Sequence, residues 1–277
     1  MTKPLYFCIA LFLQFGVFCN IAQAQLITVS NKCYKQIQLG NEQNDARDFE
    51  VALQTFEDIL KKCSAKDGKE QGNLGKAIAL NGLGEFEEAI QAANVAIKFS
   101  KNKNVMAYYA RSYANRNLNN ESAAREDLIK ITQLAEKNRD KKARATIHAQ
   151  LAQLDFQLNG MSAADSNLTK AIELDGSNPA FFVQRGDMQA KVGNYAEAQY
   201  QYDQAISLGK NDLEIYQIKT QLRIKEMNEK YRTDNIKALS EKMSSAEKKV
   251  LCTDLQQALN LGLRNMEFDL LGTMICD

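Results

Sequence analysis

The sequence has no tryptophan, two prolines and a single histidine in 277 residues. With one histidine, a Ser-His-Asp triad or a multi-histidine zinc site could be built only around His148, or not at all. Neither a Gly-x-x-x-x-Gly-Lys loop nor a dinucleotide fingerprint is present, so those phosphate cradles are excluded. Adjacent carboxylates such as Glu87 and Glu88 point in different directions on a helix, unlike a convergent acid/base pair. Net charge is also missing. Thirty-five basic residues against thirty-four acidic ones leave +1, which gives no overall electrostatic reason to expect nucleic acid or an anionic membrane. Few prolines and fourteen glycines leave long stretches free to be helical.

What is present is repetition. A turn residue, an aromatic or apolar residue, and an alanine three positions on recur as Phe49…Ala52, Phe86…Ala89, Met161…Ala164 and Tyr195…Ala198, with Glu121…Ala124 keeping the spacing but replacing the aromatic. The alanines lie 37, 35, 40 and 34 residues apart, the period of a helical repeat chain. In the clearest unit, Phe182, Val183, Gly186 and Met188 mark one helix. After Gly193-Asn194, a second carries Tyr195, Ala198, Tyr202, Ala205 and Ile206. A tight turn between them makes a hairpin, and the small residues Gly186 and Ala198 allow close helix approach.

The spacing of these small residues resembles the tetratricopeptide repeat, two antiparallel helices recurring every ~34 residues. The family's small residue and two alanines are matched by Gly186, Ala198 and Ala205, and by Ala152, Ala164 and Ala171. Less regular sets are Ser112, Ala124 and Ile131; Ala77, Ala89 and Ala96; and Gly40, Ala52 and Ile59. The resemblance implies an all-α fold, a right-handed α-solenoid of antiparallel hairpins, with repeats at 33–66, 70–103, 105–138, 145–178 and 179–212. Beyond 212 the period lapses. Leu213, Ile215, Ile218 and Leu222 suit a capping helix, and Ser244-Ser245-Ala246-Glu247 reads as a capping box opening a helix that Gly262 ends. A last helix is expected from about Asn265 to Cys276, so 213–277 forms a helical cap. The charged insertion from Arg139 to Arg144 reads as a solvated connection or an extended helix end, with a local anionic contact site as the alternative.

At the N-terminus, Lys3, an apolar run from Leu5 to Phe18 and Ala22-Gln23-Ala24 read as an export signal cleaved after Ala24. The run is shorter than a span of ~20 residues, so no membrane span is expected after cleavage, and the mature chain is placed in the periplasm or outside the cell. Cys33, Cys63, Cys252 and Cys276 remain, an even number that favours disulfides in an exported chain. Cys33 and Cys63 flank the turn near Arg47 at similar distances, and Cys252 and Cys276 flank Gly262. The expected pairs are therefore Cys33–Cys63 and Cys252–Cys276, one staple at each end of the array. No Cys-x-x-Cys redox spacing occurs.

In the resembling family, ligands contact the inner face of the first helices. By register this implies a groove for a protein or peptide formed by Asn41, Asn44, Ile78, Asn81, Tyr109, Tyr113, Arg116, Asn117, Gln153, Asp187 and Lys191, with Tyr34, Ile37, Leu74 and Met106 beside them. Tyr109, Tyr113 and Arg116 are the strongest anchors by residue type, although a wider core could instead bury the tyrosines. The carboxylate clamp of chaperone-binding repeats is absent, since Ile37, Met106 and Ala110 stand where basic residues are needed. The expected function is a non-enzymatic scaffold without cofactor or metal. The alternatives are a structural spacer and, less favoured, a small hydrolase using His148, a residue that falls where the family places a packing aromatic.

Overall fold

The computed structural model describes residues 29–264 and 266–276; the expected export signal at 1–24 lies outside them. Fourteen helices are present among the described residues. The chain divides into two compact units inside the seventh helix, the first ending at Leu154 and the second starting at Asp155.

The first unit holds α1 (Asn31–Asp45), α2 (Phe49–Lys62), α3 (Lys66–Leu83), α4 (Phe86–Phe99), α5 (Val105–Asn117), α6 (Glu121–Ala135) and the start of α7 (Lys141–Asn159). Consecutive helices pack as hairpins, and α1, α3 and α5 also pack side by side. Every turn from a first helix to a second contains one left-handed residue: Arg47, Gly84 and Asn119 here, Gly160 and Gly193 in the second unit. Gly84 and Gly193 take this conformation freely, with φ of 82° and 80°. Side-chain caps start several helices, with Ser30 accepting from the Cys33 amide and Asn104 from the Ala107 amide. The insertion is a helix end, because Lys141 to Arg144 form the first turn of α7, capped by the Asp140 carboxylate on the Ala143 amide.

The second unit continues with α8 (Met161–Leu174), α9 (Pro179–Lys191), α10 (Tyr195–Ser207), α11 (Leu213–Tyr231), α12 (Ile236–Lys242), α13 (Ser245–Asn260) and α14 (Met266–Ile275). The capping box at α13 is formed in both directions between Ser244 and Glu247, and α13 ends just before Gly262, whose φ is 100°. The short α12 was not expected from the sequence. Leu251, Leu255, Leu271 and Ile275 form the centre of the cap's core.

Three rows of side chains carry the hairpin packing. Ala52, Ala89, Ala124, Ala164 and Ala198 are fully buried, and so are Ile59, Ala96, Ile131, Ala171 and Ala205. The third row is Phe56, Ala93, Leu128, Leu168 and Tyr202, all buried and different in size. Opposite its two aromatics on the first helices stand Gly40 and Gly186. Size is complementary across both pairs, with glycine facing each aromatic. A Cβ on Gly40 would stand 2.7 Å from the Phe56 ring, and one on Gly186 would stand 2.6 Å from the Tyr202 ring. Phe56 also lies against Gly75 of the following first helix, where a Cβ would come within 2.0 Å.

The sulfurs of Cys33 and Cys63 are bonded, with Cα atoms 6.1 Å apart, as are those of Cys252 and Cys276 at 5.3 Å. Each bridge closes one hairpin at its open end, as the spacing about the turns predicts.

Candidate partner-binding surface

The residues expected in the groove fall into two groups. In the first unit, Asn41 and Asn117 are exposed, while Tyr113 and Arg116 are partly buried. Tyr113 meets Phe86 edge-on, with ring centroids 6.3 Å apart, and its carbonyl accepts from the Asn117 amide at 2.8 Å. Asn41, Ile78, Tyr113 and Gln153 occupy equivalent places on α1, α3, α5 and α7, and Ile78 and Gln153 are also partly buried. This is the accessible row of the first helices.

Asn44 and Asn81 are buried. The Asn44 amide donates to the Gly75 carbonyl at 3.1 Å, and the Asn81 amide donates to Ala110 at 2.8 Å. Each therefore ties its own first helix to the next one, so these two asparagines serve packing rather than ligand contact. Tyr109 also packs against the core formed around Leu128 and Ile147, and burial pushes its phenol well above its ordinary pKa. The wider core has taken this tyrosine.

Arg111, which the sequence did not single out, forms a bidentate fork on the buried Asp127 carboxylate, with Nη2 at 2.6 Å and Nε at 3.0 Å. Its Nη1 donates to Asn94 Oδ1 at 2.5 Å, so one guanidinium joins α4, α5 and α6. Desolvation raises the Asp127 pKa while the Arg111 hydrogen bonds oppose the shift.

In the second unit, Asp187 accepts from the Tyr202 hydroxyl at 2.8 Å, and burial raises its carboxyl pKa. Lys191 is exposed, with Nζ 5.8 Å from the centre of the Phe156 ring. An open cleft of about 550 Å³ lies between α8, α9 and α10, lined by Met161, Ser162, Asp165, Thr169, Arg185, Gln189 and Glu197. Arg185 bonds Asp165 at 2.9 Å and Thr169 at 2.5 Å across it. The first-helix register points elsewhere and misses this cleft, since five of its seven lining residues belong to the second helices α8 and α10. His148 is partly buried on α7, and among the described residues no group of three or more His, Cys, Asp or Glu side chains is placed to hold a metal.

The two-helix repeat, the turn geometry and the alanine rows point to one architecture, and solved structures agree. The fold is that of the tetratricopeptide repeat. A tetratricopeptide repeat protein from Parabacteroides merdae is similar over 90% of this chain and 100% of its own, with 16% identity and a TM-score of 0.60. PilF of Pseudomonas aeruginosa is similar over 87% and 96% respectively, with 14% identity and a TM-score of 0.60. YrrB, described as a tetratricopeptide repeat protein with an unusual peptide-binding site, is similar over 79% and 97%, with 14% identity and a TM-score of 0.53. No protein-family model matches the sequence, and none of the curated proteins is significantly similar to it. The tetratricopeptide fold thus accounts for the two helices per repeat and for the shared row on the first helices. Among the described residues, no helix is long and apolar enough to cross a membrane.

Proposed function

We propose that this chain is an exported, non-enzymatic scaffold that holds an extended peptide or a partner's helix along its first helices. On this reading residues 1–24 are a removed signal, 25–212 form the repeat array and 213–277 cap it. The observation that carries the reading is the accessible set Asn41, Tyr113, Arg116 and Asn117 on the first helices of one unit. An aromatic and a guanidinium beside two amides supply anchoring area and backbone hydrogen bonding, the combination an extended segment uses. The two disulfides suit an oxidising compartment, and the fold likeness to a peptide-binding repeat protein supports the same class of ligand.

The test is crosslinking in the native cell envelope followed by identification of what is captured. Tyr113→Ala with Arg116→Ala should remove the captured protein while leaving the melting temperature within a few degrees. Capture that survives both substitutions refutes the assigned surface; no capture by the wild type favours a structural spacer.

A further inference from the structure

The near-zero net charge conceals a separation that the hairpin topology imposes on the first unit. All turns from first to second helices lie at one edge, and all connections onward to the next hairpin lie at the other. At the onward connection of residues 58–70, Lys61, Lys62, Lys66 and Lys69 outnumber Asp58, Asp67 and Glu70, with Asp58 paired to Lys61 and Lys62. The next, at 98–103, holds Lys98, Lys101 and Lys103 with no acid. The third, at 136–144, holds Lys137, Arg139, Lys141, Lys142 and Arg144 against Glu136 and Asp140. Most of these basic side chains are exposed. The opposite edge has the other sign: Glu42, Asp45, Asp48 and Glu50 surround Arg47 at one turn, and Glu85, Glu87 and Glu88 stand at the next. The third turn is balanced, with Arg116 against Glu121.

Helix dipoles favour part of this pattern, since acids open α2, α4 and α6 and lysines close α2 and α4. They do not account for Lys66, Lys141 and Lys142, which sit in the first turns of α3 and α7, where the dipole disfavours a cation.

We infer that the basic edge of the first unit docks on a bilayer of anionic phospholipid headgroups, with the acidic edge turned away. The charges form a row along successive connections, and nearly all are lysines, which act as point charges without the fork that selects one phosphate. None of the large exposed apolar residues, such as Leu39, Val51 and Val95, falls within the three basic connections. A protein interface needs such an apolar centre, whereas a headgroup surface holds a polybasic segment by charge alone. The row of Tyr113 and Arg116 belongs to a different face, so docking leaves the proposed groove open and is independent of it.

The test is flotation of the purified mature chain with vesicles of phosphatidylglycerol and phosphatidylcholine, beside vesicles of phosphatidylcholine alone. Binding should occur only with the anionic vesicles and fall steeply as salt rises. The charge reversal Lys98→Glu, Lys103→Glu, Lys141→Glu, Lys142→Glu uses exposed positions and should weaken binding by roughly a hundredfold or more. The control Glu85→Lys, Glu87→Lys, Glu88→Lys should bind at least as well as the wild type. Equal binding to neutral vesicles, or a reversed variant that still binds, overturns the inference. Binding to soluble polyphosphate as tight as to vesicles overturns the bilayer assignment, and salt-sensitive self-association without vesicles would assign the edge to a second copy.

Discussion

Replacing Gly75 by alanine should destabilise the first unit, and the size of the effect should depend on Phe56. The added Cβ would stand 2.0 Å from Cζ of a ring that is fully buried and already held on its other side by Gly40. Ordinary carbon contacts lie near 3.5–4.0 Å, so the ring or α3 must move by roughly 1.5 Å or more. Overpacking of this kind costs about 1–3 kcal/mol and occasionally more. Alanine returns about 1 kcal/mol through helix propensity, which leaves a net loss of up to about 2 kcal/mol. A shift of that α3 segment would also strain the Asn44 amide bond to the Gly75 carbonyl. The assay is urea denaturation followed by circular dichroism. With Phe56→Ala, itself destabilising by about 3–5 kcal/mol, the clash is gone and only the propensity gain remains, so Gly75→Ala should become neutral or slightly stabilising. Phe56→Leu provides a milder background if the first does not fold. A Gly75→Ala penalty that is unchanged when the ring is removed would refute the reasoning.

Two further perturbations probe the cap. Glu247 accepts from Lys230, from the Ser244 hydroxyl and amide, and from Tyr231, and these bonds, Lys230 first, hold its pKa down to about 2. A depressed carboxylate stabilises the fold above its ordinary value near 4.5 and loses that contribution as pH falls towards 2. Glu247→Gln should therefore flatten the acid limb of the stability curve by about 1–2 kcal/mol after allowance for solvent screening, read by thermal melts across that range. Asp254 takes Lys219 at 3.1 Å and Arg223 at 2.9 Å with little exposure. Asp254→Ala leaves the buried Lys219 with Asp203 as its remaining carboxylate and the partly buried Arg223 with only Gln199, so it should cost about 1–3 kcal/mol, seen as early melting of the second unit; a loss below about 0.5 kcal/mol would mean water reaches the pair.

The helices, the alanine rows and both disulfides were legible because each depends on spacing, which a sequence displays directly. The row of Phe56, Ala93, Leu128, Leu168 and Tyr202 was not, because its residues vary in size and glycine across the hairpin is what makes room for its two aromatics. Asn44 and Asn81 read as ligand contacts because a polar residue on a first helix suggests exposure. Their separation of 37 residues, equal to that of Ala52 and Ala89, was the available sign that they belong to the packing pattern. Tyr109 was balanced between anchor and core, and packing against α6 and α7 decided it. α12 escaped notice because seven residues are too few to show a period. The edge charges vanish in a total and emerge only when the connections are sorted by the end of the hairpin at which they fall.

Because Phe56 is seated between a glycine of its own hairpin and a glycine of the next, the first hairpin accepts only a successor that has a vacancy at that point. Gly186 is likewise matched to Tyr202 within its own hairpin. The repeats are consequently not interchangeable bricks: a gene duplication, deletion or shuffled chimera that changed their order would set an aromatic ring against a Cβ. The linear order of the array is thus enforced by the shapes inside it as well as by the peptide chain.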